Sequence, residues 1–140
     1  MTEHAATPSS ARPTDFKATA QQLPDEAAHD QAAGCMDCGT PFCHAAGCPL
    51  HTVIPEIHAL VRRGRWDEAL DLLLSTHPFP EFTARICPAP CQGACVLGVH
   101  AAPVAIRDLE LVVTEKGFAS GRLRPRPPAR RRAERVAIVG

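Results

Sequence analysis

The chain has 140 residues, and its 15 Lys and Arg balance its 15 Asp and Glu, so no overall charge points to nucleic acid or to an anionic membrane as a partner. With 14 prolines, 9 glycines, 5 Phe and 1 Trp, it should be rich in loops and bury one modest core. No stretch approaches the roughly 20 apolar residues that cross a bilayer, which excludes a transmembrane helix.

The N-terminal segment, residues 1–23, is rich in Ala, Thr, Ser, Pro and Gln, and we expect it to be flexible. It lacks the apolar core of a secretory signal, so we expect a cytoplasmic protein with reduced thiols. Good helix formers with acidic residues in the first turn then predict a helix over residues 25–33, which Gly34 ends. This helix would deliver Cys35 to the site that follows.

All seven cysteines lie in two short runs, and thiolates at such spacings favour iron-sulfur clusters or zinc, because short loops can curl several soft ligands around one centre. Structural zinc typically uses two C-x2-C pairs, and only one pair here has that spacing, so zinc is the less favoured alternative. Disulfides are disfavoured by the expected compartment. The cysteines are Cys35, Cys38, Cys43 and Cys48 in the first run, and Cys87, Cys91 and Cys95 in the second.

In ferredoxin-type runs, a fourth cysteine followed by proline binds a second cluster, and Cys48-Pro49 has this form. Two four-iron clusters need eight ligands, and the chain offers seven cysteines. The eighth would be a histidine, a carboxylate or amide downstream of Cys95, or an open iron site. The candidate histidines are His44, His51 and His100.

Between the two runs, the pattern predicts two consecutive helices that form an αα-hairpin around the metal sites. Thr52 should cap the first helix, which starts at Val53 and ends at Gly64. The second begins at Trp66 and is closed by the prolines that follow it. Residues 77–95 contain four prolines before the sixth cysteine, and we expect an irregular loop there.

A third helix should begin near Pro103 and end at Gly117 or Gly121, with Glu110 within it. After it, residues 122–135 carry seven arginines interleaved with prolines, which predicts a solvated linker rather than a nucleic-acid surface, since no aromatic residue is present to stack on bases. Residues 136–140 read as a strand that enters a glycine turn, the opening of a dinucleotide-binding unit.

Taken together, these motifs give the chain a family resemblance over about residues 14–140. The chain resembles the N-terminal iron-sulfur domain of the small subunit of NADPH-dependent glutamate synthase, and it is similar to the N-terminal domain of dihydropyrimidine dehydrogenase. The motifs are CMDCGTPFCH at 35–44, GRWDEAL at 64–70, FPEFTARICPAPC at 79–91, and VAI at 104–106 with Glu110.

The resemblance implies an all-α domain, residues 24–121, that carries two [4Fe-4S] clusters on its loops. It also implies which residues bind each cluster: Cys35, Cys38, Cys43 and Cys95 hold one, and Cys48, Cys87, Cys91 and Glu110 hold the other. It implies FAD and NADPH in a full-length protein, where residues 136–140 start a dinucleotide-binding domain and Gly140 is the first residue of its cofactor turn. The given chain stops there, so those sites are expected beyond it.

The function that the resemblance implies is electron transfer between a flavin and a partner, the glutamate synthase large subunit or an equivalent redox protein. The loop between Cys43 and Cys48 has one residue more than in some relatives, which makes its geometry a point for the structure to decide. Two alternatives remain open: the same domain in another flavin oxidoreductase, such as a dihydropyrimidine dehydrogenase-like enzyme, and a zinc-binding interaction module. Nucleic-acid and membrane partners are not expected.

Overall fold

The computed structural model describes residue 20 and residues 22–130 and 132–139. In these residues the protein is helical and has no strand, which confirms the all-α prediction. No helix among them is both long and apolar enough to cross a membrane. The elements are α1 (Asp25–Ala33), a one-turn π-helix (Cys43–Gly47), α2 (Ile54–Arg62), α3 (Trp66–Thr76), α4 (Pro80–Ile86), α5 (Pro90–Gly93), a 3-10 turn (Val96–Val99) and α6 (Ile106–Ala119).

Helix α6 is the centre of the fold, because the other five α-helices all pack against it. Its Leu109, Val112 and Val113 have no exposed surface. The apolar stripes of the predicted αα-hairpin meet this core, with Val61 from α2 and Leu73 from α3 fully buried. Burial of each such side chain contributes about 1.5–3 kcal/mol, so the stripes explain why these helices assemble.

Trp66, the only tryptophan, links three helices. Its ring lies edge-on to that of His29 from α1, with ring centroids 5.3 Å apart. On α6, Lys116 places Nζ 4.6 Å from the centroid of the indole ring and forms an ion pair of 2.7 Å with Asp25 of α1. The contact holds α1 against α3 and α6, and therefore fixes where the chain leaves α1 for the first cysteine.

The prediction of an irregular loop over residues 77–95 is wrong, because the segment contains α4 and α5. Pro80 and Pro90 each occupy the first turn of a helix, where the missing N–H has no intrahelical acceptor in any case. Pro80 and Pro90 therefore start helices and do not break them.

The predicted cap at Thr52 is also wrong. Val53 precedes α2 and no side chain caps that helix. Thr52 is fully buried, and its hydroxyl lies 3.5 Å from that of Thr76 at the end of α3. Because this hydroxyl is buried against Thr76, it does not accept a hydrogen bond from the first N–H groups of α2.

At the C-terminal end of the helical body, Gly117 lies inside α6, and Gly121 follows the helix with a left-handed φ of 73°. The body extends two residues into the predicted linker: Arg122 donates from Nε to Asp71 at 3.1 Å, and the N–H of Leu123 donates to the carbonyl of Gly117 at 2.9 Å. The apolar side chain of Leu123 packs against the core.

The expected strand is not formed, since residues 134–139 are irregular and Val136, Ile138 and Val139 are about nine-tenths exposed. A strand needs a neighbour to receive its backbone hydrogen bonds, and the described residues provide none. Its place in a dinucleotide-binding domain stays a prediction. Gly140, Arg131 and most of the N-terminal segment (residues 1–19 and 21) lie outside the described residues.

We predict that Gly117→Ala lowers the free energy of unfolding by roughly 1 kcal/mol. A Cβ at this position would lie 2.5 Å from Leu70 Cδ2 and 3.1 Å from Leu123 Cδ1, and the cost of overpacking exceeds the gain in helix propensity. Thermal unfolding under anaerobic conditions measures the change. Gly93→Ala is the matched control, because a Cβ there meets no atom within 4 Å; equal midpoints for the two variants would contradict the prediction.

Candidate metal centre

Four cysteines from three segments form a first group around Cys43. Burial raises the pKa of the Cys43 thiol to about 11, and the negative charges of its three neighbours add to the rise. Burial likewise raises the pKa of Cys35, with smaller contributions from the charges of Cys38 and Cys95. Thiols that influence one another in this way are close in space. The first group comprises Cys35 after α1, Cys38 in the loop, Cys43 at the start of the π-helix and Cys95 after α5.

The remaining cysteines form a second group around Cys91. Burial raises the pKa of the Cys91 thiol to about 12, and the charges of Glu110, Cys48 and Cys87 raise it further. Glu110 is itself partly buried in α6, and burial raises its pKa to about 7. A carboxyl group in this surrounding needs a compensating partner when it is charged. The cysteines and Glu110 thus lie in two neighbouring groups, and which residues bind each cluster stays a prediction.

The one-turn π-helix brings the two groups next to each other. Cys43, of the first group, accepts a hydrogen bond through its carbonyl from the N–H of Cys48, of the second group, at 2.8 Å. The turn spans five residues, Cys43–Gly47. Short π-helical turns are frequent at functional sites. Here a single backbone hydrogen bond joins one cysteine of each group.

Backbone N–H groups point at the sulfurs of both groups. The N–H of Ala89 lies 3.3 Å from Cys87 Sγ, two residues earlier, and the N–H of Asp37 stands in the same relation to Cys35 and lowers the pKa of that thiol. Both donor residues adopt the left-handed conformation, with φ of 55° at Ala89 and 50° at Asp37. Such a conformation costs about 1–2 kcal/mol in a non-glycine residue. The N–H groups it directs at sulfur favour the thiolate, the form that binds metal.

Gly47 is the point of closest contact between the π-helix and α5. A Cβ on Gly47 would lie 2.7 Å from Cys91 Cα and 2.9 Å from Ala94 Cβ. Contacts below about 3 Å to backbone atoms cannot be relieved by rotating a side chain. Only glycine therefore allows Cys48 and Cys91 to come together.

Two glutamines and an arginine that the sequence analysis did not single out tie the cysteine runs to α6. The helix has no side-chain cap of its own, so its first N–H groups need acceptors from elsewhere. Gln31 Oε1 accepts from the N–H of Ala105 at 2.9 Å, and Gln92 Oε1 accepts from that of Arg107 at 3.1 Å. The guanidinium of Arg107 donates to the carbonyl of Cys87 at 3.2 Å. In the sequence, only the position of Gln92 directly after Cys91 indicates that this side chain lies near the cysteines.

A cavity lies beside the first group and is lined by its four cysteines, by His58 and by apolar side chains such as Ile54, Leu97 and Ile106. Four soft sulfur donors in a largely apolar wall fit an iron-sulfur cluster, whose ligands in proteins are mainly thiolates. Among the described residues, no three His, Cys, Asp or Glu side chains are close enough to bind one metal ion. A cluster is bound at four separate iron atoms, so its ligands need not converge on one point.

The three histidines considered as alternatives for the eighth ligand follow the cysteine runs closely in sequence, and the N–H of His51 donates to the carbonyl of Cys48 at 3.0 Å. His51 and His100 are exposed, and His44 is half-buried, with its ring centroid 6.3 Å from that of His51. Of the candidates His44, His51, His100 and Glu110, only Glu110 carries a charge that raises the pKa of Cys91. Its role as a ligand stays a prediction.

Comparison with known proteins agrees with this geometry. The family model of dihydropyrimidine dehydrogenase domain II, 4Fe-4S cluster, matches residues 12–122. The chain is 48% identical over 126 residues to the NADPH glutamate synthase small chain of Mycobacterium tuberculosis, which covers 90% of this chain and 26% of that relative. For the Bacillus subtilis small chain the identity is 47% over 134 residues, with 90% and 27% covered.

The NADH glutamate synthase of Schizosaccharomyces pombe is 47% identical over 130 residues, which is 92% of this chain and 6% of that protein. The chain thus spans about a quarter of the length of the bacterial small chains that it matches. Since the family model covers most of the sequence and describes the same region that holds the two cysteine groups, the chain belongs to the family of dihydropyrimidine dehydrogenase domain II proteins, which carry a 4Fe-4S cluster.

Proposed function

We propose that this chain is the electron-relay domain of an oxidoreductase of the glutamate synthase type, and that it holds two [4Fe-4S] clusters. Cys35, Cys38, Cys43 and Cys95 hold one cluster. Cys48, Cys87, Cys91 and Glu110 hold the other. When bound, the clusters supply one-electron chemistry, which neither the thiols nor the carboxylate can perform alone.

The observation that carries the proposal is the hydrogen bond between the backbones of Cys43 and Cys48, at 2.8 Å, because it joins a ligand of one group to a ligand of the other. Electron transfer between two centres slows steeply with distance, so a relay needs its centres side by side. The apolar wall formed by Ile54, Leu97 and Ile106 limits water around the first group. The N–H groups of Asp37 and Ala89 favour the thiolate forms that bind iron.

The relatives named glutamate synthase support the wider context. In a longer protein we expect FAD and NADPH to deliver electrons to the clusters, and a large glutamate synthase subunit or an equivalent redox protein to receive them. The name of the matching family favours a second candidate, in which the same domain serves a dihydropyrimidine dehydrogenase-like enzyme. Both candidates need the same two clusters, and they differ in the partner that accepts the electrons.

Anaerobic reconstitution tests the proposal directly. We expect a brown protein with a broad absorption band near roughly 400 nm and about eight irons per chain, because two four-iron clusters are bound. Iron and acid-labile sulfide are counted by colorimetric analysis, and electron paramagnetic resonance of the reduced protein should show two interacting paramagnetic centres. A colourless protein with about two zincs would instead support the zinc-binding interaction module and overturn the proposal.

Replacement of Glu110 tests the eighth ligand. We expect Glu110→Ala to lose or convert the cluster of Cys48, Cys87 and Cys91 selectively, whereas Glu110→Gln largely keeps it because an amide oxygen can still reach iron. Iron content and electron paramagnetic resonance distinguish the two results. Glu115→Ala is the control on the same helix, since Glu115 makes a partly exposed ion pair with Arg85 that contributes at most about 1 kcal/mol. Two intact clusters with unchanged spectra in Glu110→Ala would contradict this prediction, and the histidines would then be the candidates for the eighth ligand.

Replacement of Gly47 tests the close approach of the two cysteine runs. We expect Gly47→Ala to reduce the iron content by about half or more, because the added methyl group would press on the backbone of Cys91 and separate it from Cys48. Gly39→Ala in the same loop region is the matched control, since its Cβ would meet no atom within 4 Å. Equal iron content in the two variants would show that the runs can separate without loss of a cluster.

A further inference from the structure

His58 occupies a position on α2 that the helical pattern reserves for an apolar residue. It lies on the stripe formed with Ile54, Ile57 and Val61, and only 2% of its surface is exposed. Burial lowers the pKa of the imidazole to about 4, and the ring keeps at least one N–H donor in either protonation state. A neutral imidazole carries one N–H donor and one acceptor nitrogen. The helix therefore buries a hydrogen-bond donor where a valine or leucine would suffice for packing.

The buried Nδ1 atom of His58 has no hydrogen-bond partner among the described residues. An unsatisfied buried polar group costs about 1–3 kcal/mol, and such groups in native structures are usually explained by a ligand, an ion or water. His77 is comparably buried, at 5% exposed, and its Nδ1 likewise has no partner among the described residues, but its Nε2 pairs with the hydroxyl of Thr83. The two histidines thus differ in what their rings contact.

His58 lines the cavity beside the first cysteine group. Of the described residues that line this cavity, His58 is the only one apart from the four cysteines that has a polar side chain. Proline, methionine, phenylalanine and aliphatic side chains form the rest of the wall. Among the side chains of this wall, the acceptors for an imidazole N–H are therefore sulfur atoms, to which a cluster bound by the cysteines would add its own.

We propose that His58 donates an imidazole N–H to a sulfur of the cluster held by Cys35, Cys38, Cys43 and Cys95, and that this hydrogen bond raises the reduction potential of that cluster. The inference rests on the proposed function, because it needs a cluster in this group. Hydrogen bonds to cluster sulfurs are among the factors that set the potential of a cluster. Reduction makes the cluster more negative, and a donor stabilises the more negative state more strongly.

The other polar groups near the first group act differently. The N–H groups of Asp37 and His44 are backbone donors that stay in place whatever side chain occupies position 58. The second group lies beside Arg107 and Glu110, and none of its three cysteines lines the cavity that His58 borders. A change at His58 should therefore act on one cluster and leave the other unchanged, a pattern that a general loss of stability does not produce.

The test is an anaerobic redox titration of the reconstituted protein, followed by electron paramagnetic resonance. In His58→Leu, which keeps the volume and removes the donor, we expect the equilibrium constant for one-electron reduction of the first cluster to fall about tenfold, a shift of about 59 mV to more negative potential. His58→Gln retains an N–H donor and should shift less. His77→Leu is the control for loss of a buried histidine, and it should leave the potential of the first cluster unchanged.

A second measurement covers the case in which His58→Leu fails to bind iron. In wild-type protein labelled with 15N only in the histidine rings, pulsed electron paramagnetic resonance of the reduced first cluster should detect a coupled imidazole nitrogen, and the coupling should disappear in His58→Gln. No histidine nitrogen coupling in the wild type would overturn the proposal, as would equal potentials in wild type and His58→Leu. Either result with about eight irons still bound leaves the proposed function intact, whereas a protein without iron-sulfur clusters removes both.

Discussion

The constraint on which the structure depends is that cysteine thiols from distant parts of the chain are buried together. Cys95 lies 60 residues after Cys35 and belongs to the same group, while Cys48 and Cys91 belong to the other. Burial keeps thiols such as Cys43 and Cys91 protonated at neutral pH, with pKa values of about 11 and about 12. Metal binding must release those protons, so the metal replaces protons in sites that only the folded chain creates, and its binding free energy becomes folding free energy.

The backbone adopts unfavourable conformations next to the cysteines. Asp37 and Ala89 are held at positive φ, and each stands two residues after a cysteine whose sulfur receives its N–H. The π-helix at Cys43–Gly47 inserts an extra residue per turn, and Gly47 gives up its side chain so that α5 can approach. Strained residues persist where the surrounding packing over-determines them, commonly at functional sites. Here the packing comes from α6, which contacts every other α-helix.

Much of this fold could be predicted from the sequence, because α1, α2, α3 and α6 carry either strong helix-forming composition or apolar residues at helical spacing. The chemistry of the cysteines followed from their number and spacing, and the assignment of each to a group came from the family resemblance. The short helices α4 and α5 were missed because Pro80 and Pro90, which start them, also serve as breakers elsewhere.

Other features depend on three-dimensional neighbours that no local pattern reveals. Thr52 has the residue type of a helix cap, but its hydroxyl is buried next to Thr76 from another helix. The roles of Gln31 and Gln92 depend on where α6 begins in space. His58 left one visible signal, a polar residue on an apolar stripe, which becomes informative only when the stripe is seen to border the cysteine cavity. The apolar segment at 136–139 has strand composition but no partner strand among the described residues.

The two cysteine groups lie in unlike surroundings. The first group faces an apolar cavity with a single imidazole in its wall. The second lies beside the carboxyl group of Glu110, and the guanidinium of Arg107 is hydrogen-bonded to the carbonyl of Cys87. Burial, hydrogen bonds and net charge together set the potential of a cluster, so we expect the two clusters of the proposed function to have different potentials. Because a backbone hydrogen bond joins Cys43 and Cys48, we expect that difference to act over a short distance and to draw an electron toward the cluster that holds it more tightly.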